Sequence, residues 1–229
     1  MRSPGAARRL LGPTIAGIGI ATALLFLVGL GADVPALRLA TKPIPVLTLA
    51  AWVGLRCRDA LGRLTAGGLV LSALGDGLLE NGSFLPGLLA FLAGHVLYTA
   101  GFVAADRRPA LGRALPFVAW GAGALRFLWP GLGAMAAPVT GYVVVICGMM
   151  WRAAARVGGP GTPALAAALG LAGAVAFGAS DTLIAVDRFR APVPGAAWPI
   201  IVLYWLGQLG IAASAVAACG ILPGQVKAR

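Results

Sequence analysis

"SALGDGLLENGSF", residues 72–84, closes an apolar stretch that begins near residue 61 and opens another at Phe84. Residues 61–80 make up a stretch of twenty in which Arg63 is the only charge before Asp76. Within it, Asp76 stands about one turn before a polar exit at Glu80-Asn81-Gly82. About twenty apolar residues are what a helix needs to cross the hydrocarbon of a bilayer, and Asn-Gly is a turn signal. The stretch therefore reads as the end of one membrane helix, a tight turn and the start of the next. It also puts a carboxyl group inside the apolar segment. A second stretch, "GASDTLIAVDRF" at 178–189, repeats the pattern.

The whole chain agrees with that reading. Its 229 residues are 59% hydrophobic and 11% charged, with a mean hydropathy of +0.90. A soluble domain carries about 25% charged residues, so a water-soluble fold is excluded. The net charge of +11 does not indicate a nucleic-acid partner, because the basic residues are scattered in twos and threes between apolar segments, where they act as topology signals. Cys57, Cys147 and Cys219 match no metal-binding spacing and read as small apolar fillers.

Eight stretches are long and apolar enough to span: 13–31, 36–55, 61–80, 84–105, 110–129, 132–151, 163–186 and 196–219. The second is interrupted at its start by Arg38, Lys42, Pro43 and Pro45. The first has an apolar run of about 19 residues, long for a cleaved signal and right for a span, so it is expected to stay as helix one. Placing the loops alternately puts Arg38, Lys42, Arg126, Arg188 and Arg190 on one side and the other thirteen basic residues on the opposite side. The positive-inside rule then makes both termini cytoplasmic. The expected architecture is an all-α integral membrane protein of eight transmembrane helices in the cell membrane, with residues 1–229 forming one polytopic domain. Asp76-x-Leu78-Leu79 with Phe84 matches Asp181-x-Leu183-Ile184 with Phe189 at an offset of 105 residues, the pattern of two parallel four-helix repeats.

Ionisable residues inside spans are expensive and normally face the bundle interior. Asp76, Asp181, His95 and Lys42 fall in the outer half or near the midplane of that topology, as do Tyr98, Tyr204 and Gln208; the cytoplasmic half holds almost nothing comparable. Ser72 and Asp76, His95 and Tyr98, and Tyr204 and Gln208 are three or four residues apart, so each pair shares a helix face. A shared polar cavity opening outward follows as the expectation. Bland readings stand beside it: a snorkelling Lys42, a His95 that only hydrogen-bonds a neighbouring helix, and Tyr204 and Gln208 as helix glue. No soluble-enzyme motif occurs: GxSxG, HExxH and the phosphate loop are all missing. A metal site is disfavoured, with one His and no clustered Cys, and no cofactor is expected.

The runs "TKPIPVL" (41–47), "SALGDGLL" (72–79), "FLAGHVLYTAGF" (91–102), "GASDTLIA" (178–185) and "YWLGQLGIAAS" (204–214) together resemble the YhhN family of transmembrane lysoplasmalogenases, in order and over nearly the whole chain. The resemblance implies an eight-helix enzyme that hydrolyses the vinyl ether bond of a lyso-ether-phospholipid. A fatty aldehyde and a glycerophospho-ethanolamine or -choline would be released. Such a bond breaks when its β-carbon is protonated and water traps the oxocarbenium ion. Two carboxylates in one cavity divide that work, one holding a proton and the other a charge, as in glycosidases. Asp76 and Asp181 are the expected pair and His95 a third catalytic group. Lys42, Ser72, Tyr98, Ser180, Tyr204 and Gln208 are expected to bind and orient substrate. A small transporter for an amphipath remains the alternative, and a non-catalytic lipid-binding bundle a third reading that leaves the aspartates unexplained. No oligomeric state is specified.

Overall fold

The computed structural model describes residues 4–219, and the side chains from residue 12 onward. Arg2, Lys227 and Arg229 of the charge tally lie outside the described residues. Among those described, every regular element is a helix: α1 (Pro4–Gly31), α2 (Pro35–Thr41), α3 (Pro43–Arg56), α4 (Ala60–Glu80), α5 (Phe84–Ala105), α6 (Leu115–Leu132), α7 (Ala136–Ala155), α8 (Ala164–Phe189) and α9 (Ala197–Cys219). Five helical stretches have the length and apolarity to cross a membrane: 12–31, 84–105, 111–155, 164–189 and 197–219. The fourth stretch of sequence expected to span, and the seventh and eighth, coincide with α5, α8 and α9 to within a few residues.

The helix boundaries follow from local chemistry. Asp59 caps α4 by accepting a hydrogen bond from the Gly62 amide at 2.9 Å, which satisfies one of the open donors of a helix start. At the far end of α4, Gly82 takes φ +78°, a left-handed conformation that glycine adopts without a Cβ clash. The second expected span is broken into α2 and α3 at Lys42. Pro43 and Pro45 cause the break, since neither supplies an amide hydrogen and each ring crowds the carbonyl four residues back.

The outside of the bundle is apolar: Ile20, Leu24, Leu115, Val118, Val144 and Leu165 are all more than half exposed. No aqueous surface tolerates so continuous an apolar exterior, and this is a multi-pass membrane protein. The inside is small and glycine-rich. The tightest helix pairs are α4 with α5 and α8 with α9. In the second, a Cβ on Gly173 would meet the Ile211 amide nitrogen at 2.7 Å and the Gly207 carbonyl oxygen at 2.8 Å. α4 also contacts α3 and α9, while α7 contacts α5, α6 and α8. The five helices α4, α5, α7, α8 and α9 thus surround the interior that holds the polar residues.

Two expectations are corrected here. Cys57 and Cys219 are not separate fillers but a disulfide tying α3 to the end of α9, with Cα atoms 5.7 Å apart; Cys147 is free. The end of the bundle opposite the aspartates also has a buried polar cluster. Arg152 and Arg156 are buried rather than loop charges. Arg152 donates to the carbonyls of Asp106 and Arg108, and Arg113 to those of Ala154 and Val157. Arg156 donates to Ser214 Oγ at 2.8 Å and lies over the Phe102 ring. The guanidinium groups of Arg113 and Arg152 satisfy carbonyls left open at or just past helix C-termini, where a positive charge is favoured.

Candidate functional site

α4 carries Asp76 and α8 carries Asp181, and both line one polar cavity of about 410 Å³. Ser180, Tyr204, Lys42 and Glu80 line it as well. Each aspartate is held by a tyrosine. Tyr204 donates its hydroxyl to Asp76 Oδ2 at 2.6 Å, and Tyr142 donates to Asp181 Oδ2 at 2.5 Å. Asp76 is 2% exposed, while the Asp181 side chain retains 15%. In each case the tyrosine occupies one carboxyl oxygen and leaves Oδ1 uncommitted to it.

His95 stands behind Asp181. Its Nδ1 lies 2.7 Å from the Phe91 carbonyl oxygen, which can only accept, so Nδ1 carries the proton. A neutral ring then presents Nε2 as an acceptor. That atom is 3.9 Å from Asp181 Oδ2, longer than a hydrogen bond, and has no hydrogen-bond partner. Aromatic rings pack edge-on around the imidazole: Phe177 at 4.5 Å and Tyr142 at 5.3 Å between centroids. Phe91 and Phe177 extend the wall to Tyr204.

A second, narrow and apolar cleft adjoins the first. Leu88, Trp120, Leu128, Ile146 and Met150 contribute to its walls. Asp181, Leu79, Phe84, Phe91 and Ile184 line both spaces. Asp181 is therefore the one carboxylate lining both the apolar cleft and the polar cavity, whereas Asp76 lines only the polar cavity.

The remaining expected residues divide in two. Ser180 lines the polar cavity and donates to the Ile200 carbonyl at 3.0 Å. Lys42 lines it too, with Nζ 3.0 Å from Glu80 Oε2, so it is an ion-pair partner and not a lone snorkelling cation. Ser72, Tyr98 and Gln208 line neither space. They form a fully buried chain in which Ser72 donates to Tyr98 at 3.1 Å and Tyr98 to Gln208 Oε1 at 2.8 Å, joining α4, α5 and α9.

Tyr142 and Glu80 were not singled out from the sequence. Signals for both were present. The chain has three tyrosines, and a buried tyrosine hydroxyl needs a partner. Glu80 is four residues after Asp76, on the same helix face, and it pairs with both Lys42 and Arg38.

Residues 37–215 match the YhhN family. The chain belongs to the YhhN family. Among its relatives, the Homo sapiens protein named Lysoplasmalogenase TMEM86B is 33% identical over 186 residues, 76% of this chain and 74% of the relative. The Bos taurus protein named Lysoplasmalogenase TMEM86A is 39% identical over 158 residues, 65% of this chain and 63% of its own. A Mycobacterium tuberculosis protein named Lysoplasmalogenase is 35% identical over 157 residues, 63% and 57% respectively. No solved structure matches the chain significantly. In this YhhN chain the paired aspartates, the histidine and two of the three tyrosines come from five helices that converge on one interior.

Proposed function

We propose that this protein is a membrane-embedded hydrolase that cleaves the vinyl ether bond of lysoplasmalogens. The relatives named lysoplasmalogenase support the reaction class. The observation that carries the site assignment is the position of Asp181, common to an apolar cleft and a polar cavity. A lyso-lipid laid with its chain in the cleft and its glycerol in the cavity presents its vinyl ether to that carboxyl.

The reaction then balances with one water. Asp181, as the acid, delivers its proton from Oδ1 to the β-carbon, while Tyr142 holds Oδ2. The α-carbon becomes part of an oxocarbenium ion, flanked by the charged carboxylate of Asp76 and the ring of Phe91, which lines both spaces. Water adds to that carbon and gives up a proton to Asp76, forming a hemiacetal. Collapse of the hemiacetal then passes that proton from Asp76 to the departing glycerol oxygen and the hydroxyl proton to Asp181, which releases the alcohol and the aldehyde and restores both carboxyls. His95, acting through Nε2, orients Asp181 or the incoming water. Tyr204 and Tyr142 position the two carboxylates, and Ser180 lines the cavity while tying α8 to the Ile200 carbonyl of α9. Ser72, Tyr98 and Gln208 fix the spacing of the helices that bear them, and Lys42 sits near the phosphate.

The topology proposed with this chemistry has eight spans, α2 and α3 together serving as one, as two parallel repeats with both termini cytoplasmic. The matched offset of 105 residues between Asp76 and Asp181 and the matching tightness of α4–α5 and α8–α9 support the repeat. The rival carrier requires a path to the far end of the bundle. There the Arg152 and Arg156 cluster is buried and bonded across helices, which favours a site with one opening.

Aldehyde release from a 1-alkenyl lysophospholipid by purified protein in detergent, beside an Asp181→Asn control, tests the proposal. Release that vanishes in the variant is expected. A folded wild type that releases no aldehyde would remove the hydrolase reading.

A further inference from the structure

Four carboxylates and three cations line the polar cavity, and all but two of these side chains are accounted for. Asp76 and Asp181 are held by tyrosines. Arg38 and Lys42 both bond to Glu80, at 2.8 and 3.0 Å. The other two, Asp187 and Arg188, are consecutive residues in the last turn of α8, at the mouth of the same cavity. The guanidinium of Arg188 stacks on the Phe84 ring, with Cζ 3.8 Å from its centroid, and forms no ion pair or hydrogen bond within the described residues. Stacking fixes the plane of a guanidinium while leaving its N–H edge free for an anion. Asp187 uses Oδ1 to accept the Val193 amide at 2.7 Å, which anchors the carboxyl and leaves Oδ2 uncommitted.

We infer that Arg188 and Asp187 form a headgroup site for a zwitterionic lysophospholipid, Arg188 taking the phosphate and Asp187 the ammonium. This rests on the lysoplasmalogen reading for the identity of the lipid. It reassigns the leading phosphate contact from Lys42, whose charge is shared with Glu80, to the cation that has no acid partner. The adjacent opposite charges match the short phosphate-to-amine span of an ethanolamine or choline headgroup. Their place at the mouth puts the headgroup at the membrane surface while the chain reaches the cleft beyond Asp181.

The test uses three non-hydrolysable 1-O-alkyl ethers of equal chain length: the glycerophosphocholine, the glycerol 3-phosphate and the plain glycerol. Affinity is measured by displacement of a fluorescent lyso-lipid from purified protein in detergent. The wild type should bind the phosphocholine ether at least about tenfold more tightly than the alkylglycerol, the size of a charge-assisted contact. Arg188→Ala should erase that preference and Arg188→Lys restore part of it. Asp187→Asn, which keeps an acceptor for Val193, should erase only the preference for phosphocholine over the bare phosphate. A wild type without headgroup preference, or an Arg188→Ala protein that keeps it, overturns the inference. Aldehyde release, measured in parallel, reports separately on hydrolysis. Headgroup-selective binding without aldehyde sinks the enzyme reading alone. Aldehyde release with a KM unchanged by Arg188→Ala sinks the headgroup site alone.

Discussion

At the scale of single residues, the three tyrosines give the sharpest separation between chemistry and packing. Tyr142 and Tyr204 each donate to a carboxylate facing the polar cavity, whereas Tyr98 donates to Gln208 in a buried chain that touches neither cavity. Replacing any of the three with Phe deletes only one hydroxyl. Tyr142→Phe and Tyr204→Phe should lower turnover of an alkenyl lysophospholipid by about 10- to 100-fold, the value of a hydrogen bond to a charged group. Tyr98→Phe should leave turnover within a few-fold and instead lower stability by about 1–3 kcal/mol, because Gln208 Oε1 loses its donor. Turnover and unfolding temperature, measured side by side, separate the two classes; equal effects on turnover would contradict the division. Asp76→Asn and Asp181→Asn are expected to be more severe, each losing about 10²-fold or more in turnover, the range for removing a positioned acid or base, with unfolding near the wild type. Asp76, Asp181 and His95 were visible in the sequence because an ionisable group in an apolar helix has few bland explanations. Tyr142 and Arg188 were not, because a tyrosine in a span and an arginine at its end are common residues that only three-dimensional neighbours distinguish.

Between residues and molecule stand the helices, whose packing sets the distances in the site. A Cβ at Gly173 has nowhere to go, meeting backbone atoms of α9 at 2.7 and 2.8 Å. Gly173→Ala should therefore destabilise the protein by about 1–3 kcal/mol, read as a lower unfolding temperature in detergent. Gly54→Ala is the matched control, since its added Cβ would meet nothing within 4 Å beyond its own turn of helix, and helix propensity alone favours alanine there. The closed end of the bundle yields a pH prediction. Hydrogen bonds from the Arg108 side chain hold the Asp106 carboxyl below the usual carboxylate range. A depressed folded value contributes stability above the unfolded pKa of about 3.9 and loses it as pH falls through the folded value. The wild type's unfolding temperature should thus drop more steeply below about pH 4 than that of Asp106→Asn; parallel curves would refute the contribution. Sequence periodicity located α5 and α9 because composition fixes long apolar helices. It did not foresee α2 splitting from α3 or the burial of Arg152 and Arg156. The split follows from two prolines, Arg152 is held by carbonyls past the end of α5 and Arg156 by Ser214 and Phe102, and hydropathy carries no record of such partners.

For the whole molecule, orientation decides which leaflet supplies the lipid. Arg38, Lys42 and Arg188 lie at the cavity end, and Arg190 packs near them over Phe127 of α6. Arg56, Arg58, Arg63, Arg107, Arg108, Arg113, Arg152 and Arg156 belong to the opposite end, where Arg113 and Arg152 bridge segments. The Cys57–Cys219 bridge at that end points to an oxidising compartment, against the charge distribution. The charge signal has the greater weight, because it sums over several short loops and sets orientation directly. In the proposed topology the cavity end is outside, and a lysoplasmalogen is expected to enter from the outer leaflet with its headgroup at Arg188. Single cysteines introduced by Asn81→Cys, Ala191→Cys and Pro160→Cys, in a Cys147→Ala background, read this out. Asn81 and Ala191 occupy exposed turns at the cavity end, and Pro160 an exposed turn at the other. A membrane-impermeant maleimide should label the first two in intact cells and reach the third only after permeabilisation. The reverse pattern would turn the protein over, place the cavity on the cytoplasmic leaflet and align the disulfide with its compartment. Labelling at all three positions in intact cells would instead contradict α4–α5 and α7–α8 turning on opposite faces of the membrane.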